Sequence, residues 1–600
     1  MKHHDHPAIL PGKRARHLAV LLAAALLGGA VAVADDAPHF TRSQNVTINL
    51  IHRMVQRGLL SQADADELIQ QAEQDAAIAR AEAAATEAKI DQLAAGQSAK
   101  APAAAMATTN GGEAPAGDDV VRVTYVPEVV KKQLREEVKQ DVLAQAREER
   151  WAAPRSLPEW ATRYNFFGDL RVRFEGIYFP SGNDNTGAFP SFNAINTGSP
   201  FDVTGTVFSP QRDVDQNRNR LRFRARFGAD IDMGEGFAFG ARIATGDSNT
   251  PVSTNQTLGG SGGDFSKYAL WLDRAFITYQ TADGGWRASV GRFPNPFFAT
   301  EMVWDDDIGF DGLALQGRIA PGEHVKPFVT LGAFPVFNSS LNFATNQPAK
   351  FKSQDKWVFA GQLGANLAVT KDLTAKIAAA YYDFYNVEGR RSSPFTPVNA
   401  SDSGDTDETR PSFAQSGNTY FPLRNIVPGP LNNYGTINQW QYFGLATPFH
   451  DIALTGRLDY DGYEPWRVSL IGEWVRNVAF DQGRVAARAV NNLGAGGAGH
   501  FVGGDSGFNL ELKLGHAALE ERWDWNAWLG YRHVESDAVV DAFTDSDFGS
   551  GGTNLKGFTV GGALALSHRV AVGVRWLSAS SIAGPIYKND ILQLDFNGKF

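Results

Sequence analysis

From Tyr164 to the last residue, apolar and polar positions alternate along most of the chain with a period of two. In Asp169–Glu175, Leu170, Val172 and Phe174 fall on one side, and Asp169, Arg171, Arg173 and Glu175 on the other. Between Arg220 and Asp232, Leu221, Phe223, Ala225, Phe227, Ala229 and Ile231 alternate with Arg220, Arg222, Arg224, Arg226, Gly228 and Asp230. The same rhythm returns in Phe508–Leu514, Trp523–Tyr531, Phe558–Leu566 and Val570–Trp576. At the end, Leu592, Leu594, Phe596 and Phe600 stand opposite Gln593, Asp595 and Asn597. Successive side chains of a strand point to opposite faces, so each segment predicts a strand with one apolar and one polar face. The segments run to about 10–14 residues, which suits a tilted membrane-crossing strand better than an ordinary globular one.

The connections carry a second pattern. Short ones at Met233–Gly236, Thr281–Gly284, Pro321–His324, Lys371–Asp372, Asp461–Tyr463, His516–Glu521 and Ser567–His568 alternate without a break with long ones. The long ones cover 180–217, 247–267, 294–309, 334–355, 385–449, 477–505, 536–554 and 580–588. A soluble β-sandwich has no reason to sort its loops by length. A membrane barrel does, with short turns on the periplasmic side and long loops outside. The expected fold is all-β: a transmembrane antiparallel β-barrel of about 16 strands over 159–600. Phe600 is then the aromatic that ends the barrel-closing strand at the periplasmic interface.

Upstream the period changes to that of a helix. Lys13, Arg14 and Arg16, the apolar Leu18–Ala30 and the small-residue site Ala32-Val33-Ala34 read as a signal peptide over 1–34. Residues 35–95 form a helical segment of coiled-coil composition, with Val46, Ile48, Leu50, Ile51, Met54 and Val55 at helical spacings. Ala, Pro and Gly mark 96–119 as a flexible linker. A second helix and connector fill 120–158, ended by Pro154 and Pro158. Polar helices of this kind read as a solvated spacer or an oligomerisation stalk.

Composition narrows the chemistry. The chain has 600 residues, a formal charge of −10 and no cysteine, so disulfides and thiolate metal sites are excluded. After the first 35 residues no apolar run approaches the ~20 residues of a membrane helix. His516, His533 and His568 sit in turns or at strand ends, with no nucleophile and carboxylate in a catalytic pattern, and no phosphate loop or metal-spaced His pair occurs. The expectation is a protein that is not an enzyme, has no cofactor and takes no nucleic-acid partner.

A barrel of this size leaves an aqueous lumen, so its chemistry is the charge lining it. Arg220, Arg222, Arg224 and Arg226 form a ladder on one lumen-facing strand, extended by Arg171 and Arg173. The third long loop carries Glu301, Asp305, Asp306 and Asp307 after Gly291-Arg292-Phe293-Pro294-Asn295-Pro296-Phe297. If that loop folds inward, acidic groups face an arginine wall and set up a transverse field. A merely solvated arginine face is the alternative. Asp545 and Asp547 resemble half of a calcium loop, but the distal bidentate Glu is missing, and an ordinary polar loop is the better reading.

These segments resemble the bacterial outer-membrane putative porin family. The resemblance rests on Asn45–Ile51, Tyr125–Ala153, Gly168–Arg173, Gly291–Phe297 with Trp304–Asp307, and Asp545–Phe548 with Gly551–Asn554. It implies a sixteen-strand channel with periplasmic N-terminal helices, embedded in outer-membrane lipid. It also implies assembly through the barrel machinery via the C-terminal strand and, by analogy with sixteen-strand porins, a homotrimer. Phosphate-selective porins are a more distant comparison that suits the ladder but not the absence of a lysine cluster. Two functions stay open: a diffusion channel for small hydrophilic solutes or ions, and a structural or adhesive barrel anchor with a closed lumen.

Overall fold

A computed structural model describes residues 161–600, apart from 185–186, 204–207, 261, 319–321 and 323. The expected signal peptide, helices and linker lie outside the described residues. The wall consists of β1 (Tyr164–Tyr178), β2 (Arg218–Gly234), β3 (Phe237–Ala244), β4 (Trp271–Gln280), β5 (Trp286–Phe293) and β6 (Phe310–Arg318). It continues with β7 (Val325–Phe337), β8 (Lys356–Ala368), β9 (Leu373–Tyr385), β10 (Phe449–Tyr463) and β11 (Trp466–Asn477). The last five are β12 (Ser506–Gly515), β13 (Trp525–Val534), β14 (Leu555–Ser567), β15 (Val570–Ser581) and β16 (Lys588–Lys599).

Each strand pairs antiparallel with the next, and β1 pairs with both β2 and β16, so the sixteen strands close into a barrel. The seam is in register along its length, with Val172 opposite Phe596 and Phe174 opposite Leu594. Beyond it the Phe600 amide donates to the Gly168 carbonyl at 3.1 Å, and the Gly168 amide donates to Phe600 at 3.3 Å. A Cβ on Gly168 would lie 2.4 Å from the Phe600 ring, so a glycine here leaves room for the terminal aromatic.

The two faces are distributed inside out relative to a soluble protein. Leu170, Leu363 and Leu512 look outward at 51%, 61% and 47% exposure, while Arg173 and Glu175 inside are at 2% each. Exposed Tyr164, Phe166, Phe227, Phe237, Tyr279 and Trp466 cluster towards the short-turn rim. Trp271, Tyr385, Trp474 and Phe508 cluster towards the other. An apolar outer band between two aromatic girdles is the surface that a lipid bilayer requires.

The long loops L1 to L8 follow β1, β3, β5, β7, β9, β11, β13 and β15 in turn. Two expected turns begin later, because Met233 and Gly234 belong to β2 and Ser567 to β14, and a third is displaced whole. Asp461–Tyr463 belongs to β10, and the chain reverses at Glu464-Pro465. Proline has no amide to donate to the ladder, so the strand runs on to the residue before Glu464 and stops there. Strands β3, β5 and β6 are short, and the low rim they leave is where L2 (245–270) and L3 (294–309) enter the barrel mouth.

Candidate functional site

The register of β1 on β2 places Asp169 opposite Arg226, Arg171 opposite Arg224, Arg173 opposite Arg222 and Glu175 opposite Arg220. Two of those pairs set like charges side by side, which is unfavourable by itself. Neighbouring carboxylates resolve the conflict. Asp169 accepts from Arg224 at 2.8 Å and from Arg226 at 2.7 Å. Glu175 accepts from Arg220 at 2.5 Å and from Arg222 at 3.3 Å. Arg173 grips Asp595 of β16 at 2.7 and 2.8 Å and reaches Asp547 of L7 (535–554) at 2.8 Å. Arg575 of β15 takes the same Asp547 oxygen. Arg171 makes no ion pair among the described residues, and it donates to the Asn255 side chain at 2.6 Å.

L3 leaves the rim because its sequence cannot extend β5. Pro294 and Pro296 remove two amide donors, and the Asn295 side chain accepts from the Phe297 amide at 2.9 Å to close a turn. From there the loop lies across the lumen. Phe298 exchanges hydrogen bonds of 2.9 and 2.8 Å with Gln362 on β8. The Thr300 amide and hydroxyl donate to Glu473 on β11 at 3.0 and 2.5 Å. Asn509 on β12 donates to the Thr300 hydroxyl at 3.0 Å. Trp304 is buried between Phe310, Tyr382 and Phe543, with ring centroids 4.9–5.5 Å apart. At the far end Asp307 accepts from Arg226 at 3.3 Å and from the Thr254 amide at 3.1 Å.

The four acidic residues of L3 divide by partner. Asp307 touches the ladder, and Asp306 is exposed. Asp305 and Glu301 lean on L7: Asp305 accepts from the Ser546 amide at 3.1 Å, and the Glu301 carbonyl accepts from the Asp545 amide at 2.9 Å. Burial, and then the Asp545 carboxylate alongside, push Glu301 up to about 8 and Asp305 up to about 10. Burial also opposes the charge on Asp547, yet Arg173 and Arg575 outweigh it and hold that carboxyl well below the usual range. Asp545 pairs with Arg532 of β13 at 3.2 Å. Both halves of the calcium-like pair are therefore occupied by arginines. Among the described residues no cluster of three or more carboxylates or histidines could hold a metal.

The wall half-way round the ring is different. Lys356 on β8 and Lys376 on β9, and nearer the ladder Arg287 on β5, have no carboxylate at ion-pair distance among the described residues. The Lys376 ammonium sits over the Phe298 and Phe328 rings at 4.2 and 5.2 Å. Beneath L3, two cavities of about 450 and 580 Å³ are lined by Arg287 together with Lys376 and Gln362 in one and with Arg242 and Arg274 in the other. Arg532, Arg575, Gln362, Glu473 and the two lysines are not singled out by the sequence reading. Arg575 does stand on the polar side of an alternating segment, but the strand register that brings it to Asp547 has no local signal.

The family described as Putative porin matches residues 44–600. None of the curated proteins matches the chain. Among solved structures, the chain is similar to Pseudomonas putida OprB at high pH, with 12% identity, 73% of this chain and 95% of that one covered, and a TM-score of 0.39. It is similar to the outer membrane channel DcaP of Acinetobacter baumannii at 11% identity, 73% and 97% coverage and a TM-score of 0.34. It is also similar to Salmonella typhi OmpF in complex with daunomycin at 9% identity, 73% and 97% coverage and a TM-score of 0.34.

Proposed function

The chain belongs to the putative porin family, and on that premise we propose that this outer-membrane channel passes small hydrophilic solutes and ions by passive diffusion. One observation carries the reading: L3 lies across the lumen and meets the arginine ladder on one side. Fixed charges around a narrowed aqueous path order water and select permeant ions by their sign.

The balance of those charges favours anions. Arg171 has no carboxylate of its own and Arg220 and Arg222 share Glu175, whereas Arg224 and Arg226 are matched by Asp169 and Asp307. At neutral pH Glu301 and Asp305 hold their protons and add no compensating charge. Phosphate would pass as one small anion among others. A homotrimer, with the N-terminal helices in the periplasm, completes the proposal.

Purified protein reconstituted in a planar bilayer under a salt gradient tests it. Stepwise conductance with a reversal potential on the anion side is expected. The double variant Arg222→Gln/Arg224→Gln should move that potential towards cations. Unchanged permeability ratios would remove the ladder from the selectivity mechanism, and silence from demonstrably folded protein would indicate a closed, anchoring barrel.

A further inference from the structure

We propose that the cavity on the outer side of L3 is a binding site for organic monoanions with an aromatic body, the carboxylate of the solute meeting Lys356. The inference gives a solute class to the channel proposed above, and its role in transport rests on that reading. The cavity holds about 420 Å³ between L2, L3, L5 (386–448), L7 and the wall, within the range of small-molecule sites. Trp304, Phe310, Phe334 and Phe543 line one side of it. Their centroids lie 4.9 Å apart for Trp304 and Phe310, 5.0 Å for Phe310 and Phe334, and 5.5 Å for Trp304 and Phe543. The first two contacts are edge to face and the third is tilted, and the packed rings give this side of the cavity an apolar wall.

Lys356 lines the same cavity at 4% exposure. Its ammonium donates to the Arg410 carbonyl at 2.5 Å and lies 4.9 Å from the centre of the Phe337 ring. An ammonium has three N–H groups, and the one protein acceptor leaves donors for a bound anion. Burying such a charge without a counter-charge is unfavourable. Glu408 is near enough to act on it electrostatically, yet makes no ion pair with it, and one Glu408 carboxylate oxygen is itself buried without a hydrogen bond. An anion that also fills the aromatic side would satisfy the lysine where Glu408 does not. Because β8 begins at the long-loop rim, a solute arriving from outside reaches this cavity before the path narrowed by L3.

Isothermal titration of the folded full-length chain in detergent with sodium benzoate tests the site. Saturable binding is expected, with sodium acetate (charge without the ring) and benzyl alcohol (ring without the charge) each at least about tenfold weaker. Lys356→Met should weaken benzoate by a similar factor while keeping the heat-modifiable gel migration of a folded barrel. If that variant does not fold, Glu408→Gln decides, because removing the competing carboxylate must tighten benzoate binding. No saturable heat with benzoate, equal affinity for acetate, wild-type affinity in Lys356→Met, or unchanged or weaker affinity in Glu408→Gln would each overturn the proposal. Binding is read here without any current. A silent bilayer with benzoate bound would therefore defeat the channel and leave the site, and an open pore without benzoate binding would defeat the site alone.

Discussion

The arginine ladder on β1 and β2 and the lysines on β8 and β9 stand on opposite sides of one lumen, yet their charges are handled in opposite ways. On the ladder side one carboxylate serves two arginines at a time: Asp169, Glu175 and Asp547 each bridge a pair. These pairs cross strands and loops, so they join β1, β2, β15, β16, L3 and L7 into one network. On the other side Lys356 and Lys376 lie against rings and carbonyls, and among the described residues neither has a carboxylate partner. On the function proposed above, paired charge would hold the shape of the channel, and unpaired charge would be left to meet what passes through it.

That division sets the size of what mutation should do. Glu175 is buried and accepts from Arg220, Arg222 and Gln593. Glu175→Gln would leave two arginines sharing no counter-charge. Removing one partner of a buried pair costs about 3–5 kcal/mol, reduced here to about half because Arg220 is partly solvated. The midpoint of heat-induced unfolding should fall clearly, and the reversal potential should move further towards anions. Lys376→Gln on the opposite wall should behave the other way. It forfeits only the cation–π contacts to Phe298 and Phe328, each worth about 0.5–1 kcal/mol, so the unfolding midpoint moves less than in Glu175→Gln while anion preference declines. Equal destabilisation in the two variants would end the distinction between shaping and selecting charges.

The barrel was legible because both of its signals are local. Alternation of side chains needs only one strand, as in Leu170, Val172 and Phe174, and loop lengths need only the spacing between strands. The site was legible by halves. The ladder stood out because Arg220 to Arg226 repeat on one face of one strand, and L3 because Glu301 to Asp307 are adjacent in the chain. Their partners did not stand out. Asp547 meets Arg173 across 374 positions and Glu473 meets Thr300 across 173, distances that only the closed register can bridge. Lys356 and Lys376 are each the one basic residue of their strand, and nothing local marks an ammonium that lacks a carboxylate.

The finest distinction lies within L3 itself, between Asp307, which is paired to Arg226, and Glu301, which leans on L7. Burial and the neighbouring Asp545 push Glu301 up to about 8, above the ~4.3 of an unfolded glutamate. The folded state therefore holds this proton across the interval between those values. What the neutral group contributes to the L3–L7 contact is complete below the unfolded value and is lost as pH rises through about 8. Ionisation also adds a negative charge to the lumen. Between pH 7 and 9 the reversal potential should drift modestly towards cations, while Asp305, up at about 10, stays mostly protonated through that window. Glu301→Gln cannot ionise, so in that variant the drift should flatten and the potential should keep its neutral-pH value. If the drift survives the substitution, the titrating group lies elsewhere in the lumen, and Glu301 belongs with the charges that only shape it.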